Sequence, residues 1–151
     1  MHELLNGGGH KEALRVLAVT FDEPCDQLVI VRDIPFTSVC EHHLLPFTGV
    51  ATVGYLPEGN RVVGLSKIPR AVYAFAKALQ IQERLTRQIA DVMAEALKPR
   101  GVGVIMEGRH TCASLRGACA AGASMLTSEL RGVLREDAAA RAEFFNLARS
   151  R

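Results

Sequence analysis

The sequence has no run of lysines and arginines, and its 18 basic and 16 acidic side chains leave a formal charge of only +2. That excludes the basic stripe with which a nucleic-acid binder meets a phosphate backbone. A small anionic ligand stays open, because a few placed cations suffice for one. No apolar run approaches the ~18–20 residues that a membrane helix needs. The opening Met-His-Glu-Leu-Leu-Asn-Gly-Gly-Gly lacks the basic start and apolar stretch of a signal peptide. A cytoplasmic protein with neither membrane nor nucleic acid as partner is therefore expected. In that setting the four cysteines, Cys25, Cys40, Cys112 and Cys119, are expected to be thiols or metal ligands rather than disulfides. No internal repeat and no second domain is visible. What is present is 151 residues, 48% of them apolar, enough for one domain over 1–151 with a sizeable core.

Along the chain, residues 1–13 read as a loose lead-in, with Gly7, Gly8 and Gly9 breaking any helix. Residues 14–21 form a short apolar segment, strand or helix. Residues 28–34 are β-branched and strand-like. Residues 35–46 hold two prolines and a Cys-Glu-His-His cluster, which suggests a structured loop. A second strand is expected over 47–56 and a turn over 57–60. Ser66 is a plausible helix N-cap with Pro69 in the first turn. Ile68, Val72, Phe75 and Leu79 recur at helical spacing, as do Ile81, Leu85, Ile89, Val92 and Ala96 in a second helix. Strands over 101–109 and 122–134 follow, and Asp137 caps a last helix carrying Phe144, Phe145 and Leu147. The order is α+β: a four-stranded antiparallel sheet with two helices inserted between strands two and three. Such a sheet has open edges and one covered face, which oligomerisation would satisfy.

The informative cluster is Cys40-x-x-His43. It offers a thiolate and an imidazole to one metal, and zinc favours such ligands. Alone it is a weak signal, since a buried thiol beside a surface histidine looks the same. A second cluster, His110-Thr111-Cys112, ends a strand; side chains two apart on a strand share a face, so His110 and Cys112 would share a site. Three protein ligands with an open position mark catalytic zinc, and four mark structural zinc. With five candidates in two clusters, some are ligands and some are neighbouring acid/base groups. Gln82 and Glu83 open one helix with an amide and an acid. Ser66, Lys67 and Arg70 open another with two cations near its positive end, a combination suited to phosphate.

These pieces sit in longer blocks that resemble type I GTP cyclohydrolase. The blocks are Ser-Val-Cys-Glu-His-His-Leu-Leu-Pro-Phe at 38–47, Gly-Leu-Ser-Lys-Ile at 64–68, Leu-Gln-Ile-Gln-Glu-Arg-Leu-Thr-Arg-Gln-Ile at 79–89, and His-Thr-Cys at 110–112 followed by Arg116 and Gly117. The resemblance runs over roughly residues 14–150. It implies the tunnelling fold and assembly into a toroidal decamer of two pentamers. It implies hydrolysis of GTP at C8, with release of formate and recyclisation to 7,8-dihydroneopterin triphosphate at the head of pterin synthesis. Carried residue by residue, it makes Cys40, His43 and Cys112 the zinc ligands and His42 and His110 the catalytic histidines. His110 would protonate the purine ring nitrogen. Glu83 would read the guanine edge with Gln82 beside it, and Ser66, Lys67, Arg70 and Arg116 would hold ribose and triphosphate.

The chain departs from the family in one marked way. A Thr-Pro-x-Arg motif in a helical N-terminal region, whose arginine approaches the triphosphate from another subunit, does not occur in it. Weaker triphosphate binding is the expected consequence. Ala113, Ser114 and the segment 118–122 are blander than usual, and Cys25 and Cys119 read as free thiols. Two other readings compete: a zinc-binding tunnelling-fold paralogue with weak or altered purine-nucleotide activity, and a nitrile reductase like that of queuosine synthesis. The intact His42, His110 and Glu83 argue against the first. The second uses a cysteine nucleophile and needs no ligand trio.

Overall fold

Two long strands run on either side of the Cys-Glu-His-His segment, and the rest of the fold is arranged around them. The computed structural model describes residues 1–150. After a 3-10 turn at His2–Leu4 come α1 (Gly9–Leu17), β1 (Thr20–Asp22), β2 (Val29–Cys40), β3 (Pro46–Leu56) and β4 (Arg61–Val63). Then follow α2 (Lys67–Ala76), β5 (Leu79–Gln80), α3 (Gln82–Leu97), β6 (Gly101–His110), α4 (Thr111–Ser114), β7 (Met125–Gly132), α5 (Val133–Glu136) and α6 (Ala138–Arg149).

The main sheet has five strands in the order β5-β2-β3-β6-β7, and β1 pairs with β4 in a separate two-stranded ribbon. The antiparallel four expected from the sequence are β2, β3, β6 and β7. The fifth, β5, is a two-residue strand that pairs in parallel with Val39 and Cys40. Leu79, expected on a helix stripe, belongs to this strand and is exposed.

The core lies between one face of the sheet and the inserted helices. Ala51, Val53, Tyr55, Val102, Val104 and Met106 face Ile68, Val72 and Phe75 of α2 and Leu85, Ile89, Val92 and Met93 of α3. All are buried, which the alternating strands and helical stripes foretold. The opposite face is not bare. Helix α6 lays Phe144 across Gly54 and Gly103, which are cross-strand partners, and a Cβ on Gly103 would come within 2.6 Å of that ring. Asp137 caps α6 by accepting from Ala140 N at 2.7 Å.

Three expectations need correction. Residues 1–13 are not a loose lead-in: α1 starts at Gly9, Ala13 is fully buried, and Gly7 N donates to Lys77 O at 2.9 Å. A positive φ of 59° at Gly9 turns the chain into the helix rather than breaking it. Residues 35–46 are not mainly loop, because β2 continues to Cys40. Pro35 is tolerated there because β2 has β3 on one side only at that point, its other neighbour pairing just with Val39 and Cys40. Ser66 does precede α2, but its side chain makes no capping hydrogen bond.

Candidate metal centre and active site

The end of the sheet at Cys40, Phe47 and His110 carries the site. A tight turn joins β2 to β3: Leu44 N donates to Cys40 O and Cys40 N to Leu45 O, each at 2.8 Å, with Leu44 at φ 55°. The turn brings His43 Nδ1 to 3.6 Å from Cys40 Sγ. Cys112 completes a group in which the three ligand atoms all lie within 4.8 Å of one another. Ligands about 2.0–2.3 Å from a tetrahedral zinc are separated by about 3.6 Å, so two thiols and an imidazole in this arrangement fit that ion in number, type and spacing. Cys40 is buried, Cys112 half-buried and His43 exposed, so the centre opens outward on the histidine side. Burial, then the neighbouring Cys40 thiol, push the Cys112 thiol upward. A dication held by this trio would reverse that balance in favour of the thiolates.

Cys112 arrives differently from the way its spacing suggested. Strand β6 ends at His110, and Cys112 sits in the short helical turn α4. The two side chains share a site through that turn, not through strand alternation.

His110 is fixed from two directions. Its ring stacks on Phe47 with centroids 4.4 Å apart and planes 7° from parallel, a consequence of the Phe47–His110 register pair between β3 and β6. Its Nε2 lies 2.9 Å from Gln82 Oε1. The amide orientation is determined, because Gln82 Nε2 is surrounded by acceptors only: Met106 O, Met125 O and Thr127 Oγ1 lie at 2.8–3.1 Å and share its two N–H groups. The oxygen must therefore face the imidazole, and the neutral ring carries its proton on Nε2 and its lone pair on Nδ1. Burial pushes the His110 imidazole below the ordinary histidine range, with the Glu83 carboxylate pulling the other way. Gly108 makes the arrangement possible, since a Cβ there would collide with Gln82 Oε1.

Gln82 itself is fully buried. Its polar atoms are spent inside the chain, and it reaches the site by holding His110 rather than by facing a ligand. Glu83, the next residue of α3, is exposed. His42 is also exposed, its ring centroid 6.2 Å from that of His43. Arg116 is exposed and near enough to Cys112 to favour its thiolate.

The remaining three sequence-selected residues lie elsewhere. The C-terminal end of α2 abuts β2 at the metal end, where Ser38 Oγ donates to Ala78 O at 3.2 Å. Ser66, Lys67 and Arg70 belong to the opposite end of a 10-residue helix about 15 Å long. There Gly64 and Lys67 lie beside Phe21, whereas Arg70, at the end of the first turn, borders a cleft that runs along α2 past Tyr73 and Ala74 to Lys77, with Asn6 and Glu12 also lining it. None of the three belongs to the donor group. Phe47, Gly108, Thr127 and Arg84 were not singled out from the sequence. Only strand register could have revealed Phe47 and Gly108.

Sheet, helices and donor trio together define a protein with a candidate metal site on an antiparallel sheet backed by two helices. Archaeosine synthase QueF-Like in its apo form, a tunnelling-fold neighbour, shares that fold with a TM-score of 0.56 at 17% identity, over 70% of this chain and 93% of that one. Likeness at this identity speaks for the fold alone. The chain belongs to the GTP cyclohydrolase I family, whose model matches residues 1–149. The GTP cyclohydrolase 1 of Halalkalibacterium halodurans is 48% identical over 97% of this chain and 78% of its own length. Those of Bacillus cytotoxicus and Thermoanaerobacter pseudethanolicus are each 45% identical over 100% of this chain and 80% of their own. No helix among the described residues is long and apolar enough to cross a membrane.

Proposed function

We propose that the protein is a zinc-dependent, cytoplasmic GTP cyclohydrolase I. It hydrolyses GTP at C8 of the purine, releases formate and recyclises the remainder to 7,8-dihydroneopterin 3'-triphosphate, the entry to pterin synthesis. The observation that carries this reading is the trio Cys40, His43 and Cys112 beside a histidine whose tautomer is set from within the chain. When bound, zinc supplies Lewis acidity and a water activated near neutral pH.

The rest falls to side chains. His110, held through Nε2, presents Nδ1 to the imidazole nitrogen of the purine; Nδ1 first takes up a proton from solvent, and the imidazolium then donates it to that nitrogen as the ring opens, returning to the neutral form. His42, exposed on the ligand turn, is the second proton-handling group. Glu83 accepts from the N–H groups of guanine. Adenine has no matching donors and would leave the carboxylate unpaired. Gln82 belongs to substrate binding through His110. Ser66, Lys67, Arg70 and Arg116 hold ribose and triphosphate, with arginine suited to bidentate phosphate contact.

Since Ser66 and Lys67 start α2 and Arg70 closes its first turn, while the strand that carries Cys40 meets the other end of the helix, the complete site takes these three from a second copy of the chain. Two features support this. Strand β7 and most of β2 each have a free edge among the described residues. Large apolar side chains are exposed beside both half-sites: Leu44 at 64% and Leu115 at 74% near the trio, and Leu65 at 72% beside Ser66. Closure of the edges into a ring, and a decamer of two pentamers, completes the reading. The test is incubation of purified, zinc-loaded protein with GTP, following formate and, after oxidation, pterin fluorescence. Formate and pterin in equal amounts support it. GTP consumed without formate, or not consumed, overturns it.

A further inference from the structure

Glu41 sits between the ligand turn's first cysteine and its histidines, yet its carboxylate is outside the donor group. It is taken by Arg84, whose Nη2 donates to Glu41 Oε2 and also to Leu79 O at 3.0 Å. The Nε of the same guanidinium donates to Gln80 Oε1 at 3.1 Å. Gln80 is buried and locked in turn: its Nε2 donates to Phe75 O at 3.0 Å and to Gln88 Oε1 at 2.8 Å. The backbone repeats the tie, with Glu41 N donating to Gln80 O at 2.9 Å. One arginine therefore joins the turn that carries Cys40 and His43 to β5, to the end of α2 and to α3.

We infer that Arg84 is the positioning residue of the metal-binding turn, acting through Glu41. The inference rests on the trio being the zinc site. Three donor directions used at once, in the fixed fork of a guanidinium, specify an orientation that a lone ammonium does not. The side chains of Arg84 and Glu41 are 29% and 44% exposed. An ion pair so open to solvent adds little to global stability. What it does is restrict the turn: Cys40 is anchored in β2, whereas His43 hangs from the turn alone and is exposed. The ligand least supported by the core is the one this contact steadies. It also occupies the carboxylate nearest the centre in sequence, which keeps Glu41 from becoming a fourth protein ligand.

The experiment is a double-mutant cycle on zinc affinity, with Arg84→Gln, Glu41→Gln and the double variant in the full chain, measured by competition with a chromophoric chelator. Supporting contacts around metal ligands are worth about 10–100-fold in affinity. Each single variant is expected to bind zinc about tenfold more weakly, and the double variant no more weakly than either, because the two act as one contact. Melting of the zinc-free Glu41→Gln chain should match that of the parent. Unchanged zinc affinity in the single variants overturns the inference, and so do losses that add in the double. If Arg84→Gln does not fold, Glu41→Gln alone decides, since its side chain carries no part of the core. Cys112→Ala serves as the reference: a parent chain that binds zinc no better than this variant would overturn the metal site itself, and the inference with it.

Discussion

At one end of α2 the chain has assembled a site, and at the other it leaves polar side chains facing outward. The metal end is pre-organised within a single subunit. His110 is stacked and hydrogen-bonded, Gln82 is saturated, and the ligand turn is tied to α3. The far end holds Ser66, Lys67 and Arg70, none of which makes a side-chain hydrogen bond or ion pair among the described residues. The difference separates two costs. Proton transfer and metal binding need fixed geometry, and here it is fixed at folding. On the proposed reading, phosphate meets cations that arrive with a partner chain, which need no fixed place within one subunit.

Removing the metal is the harshest way to test the pre-built end. Cys112→Ala takes away one of three donors, and both zinc content and turnover are expected to vanish together. Elemental analysis showing a full zinc complement in that variant would break the assignment. Next in size is His110→Ala, which should keep about one zinc per chain and lose about a hundredfold or more in kcat, the usual worth of a positioned proton donor. Zinc lost in that variant would instead make His110 a ligand.

The two ends also differed in how legible they were. The blocks around Cys40, His43, His110 and Cys112 were readable from residue type and spacing, and the structure gathers them. The helical and alternating stripes gave the core, because Ile68, Val72, Leu85 and Ile89 are buried as their period requires. What the sequence hid is long-range. That Phe47 lies opposite His110, and that Gly108 clears space for Gln82, depends on strand register, which no local pattern reports. The continuation of β2 through Pro35 was hidden for a related reason. Proline breaks a strand only when both of its edges are used, and that is a property of the sheet. Equally, Ser66, Lys67 and Arg70 looked like part of the same site on chemistry alone, yet Ser66 and Lys67 begin α2 while its other end meets the strand of Cys40.

The far end should respond in KM. Arg70→Ala removes a charge-assisted contact worth about 1.5–3 kcal/mol, so KM for GTP should rise about ten- to a hundredfold with zinc and kcat little changed. The comparison between the ends is sharpest in a mixing experiment. If a complete site takes its trio from one chain and its cations from another, then Cys112→Ala and Arg70→Ala chains, refolded together, should form some intact sites. Random equal mixing gives about a quarter. At GTP concentrations too low for either variant alone, activity should return to about that share. No recovery from a mixture that has assembled would mean that each chain supplies its own cations, and the interface reading would fall.

The smallest effect expected returns to the pre-built end and asks how much its internal fit is worth. Gly108 lies in β6, paired with Gly49 on one side and Met125 on the other, so its backbone cannot retreat. A methyl group there collides with Gln82 Oε1, and the amide must swing away from His110. His110 keeps its stacking on Phe47 but loses the acceptor that fixes its tautomer. A neutral hydrogen bond is worth about 0.5–1.5 kcal/mol net, so Gly108→Ala should lower kcat about three- to tenfold. Zinc content and KM should stay near the parent values, because neither the donor trio nor the cations are touched. A loss as large as that of His110→Ala would show that the Gln82 contact sets whether His110 works at all. An unchanged kcat in a folded, zinc-loaded variant would show that Phe47 alone orients the ring, leaving Gln82 a purely structural residue.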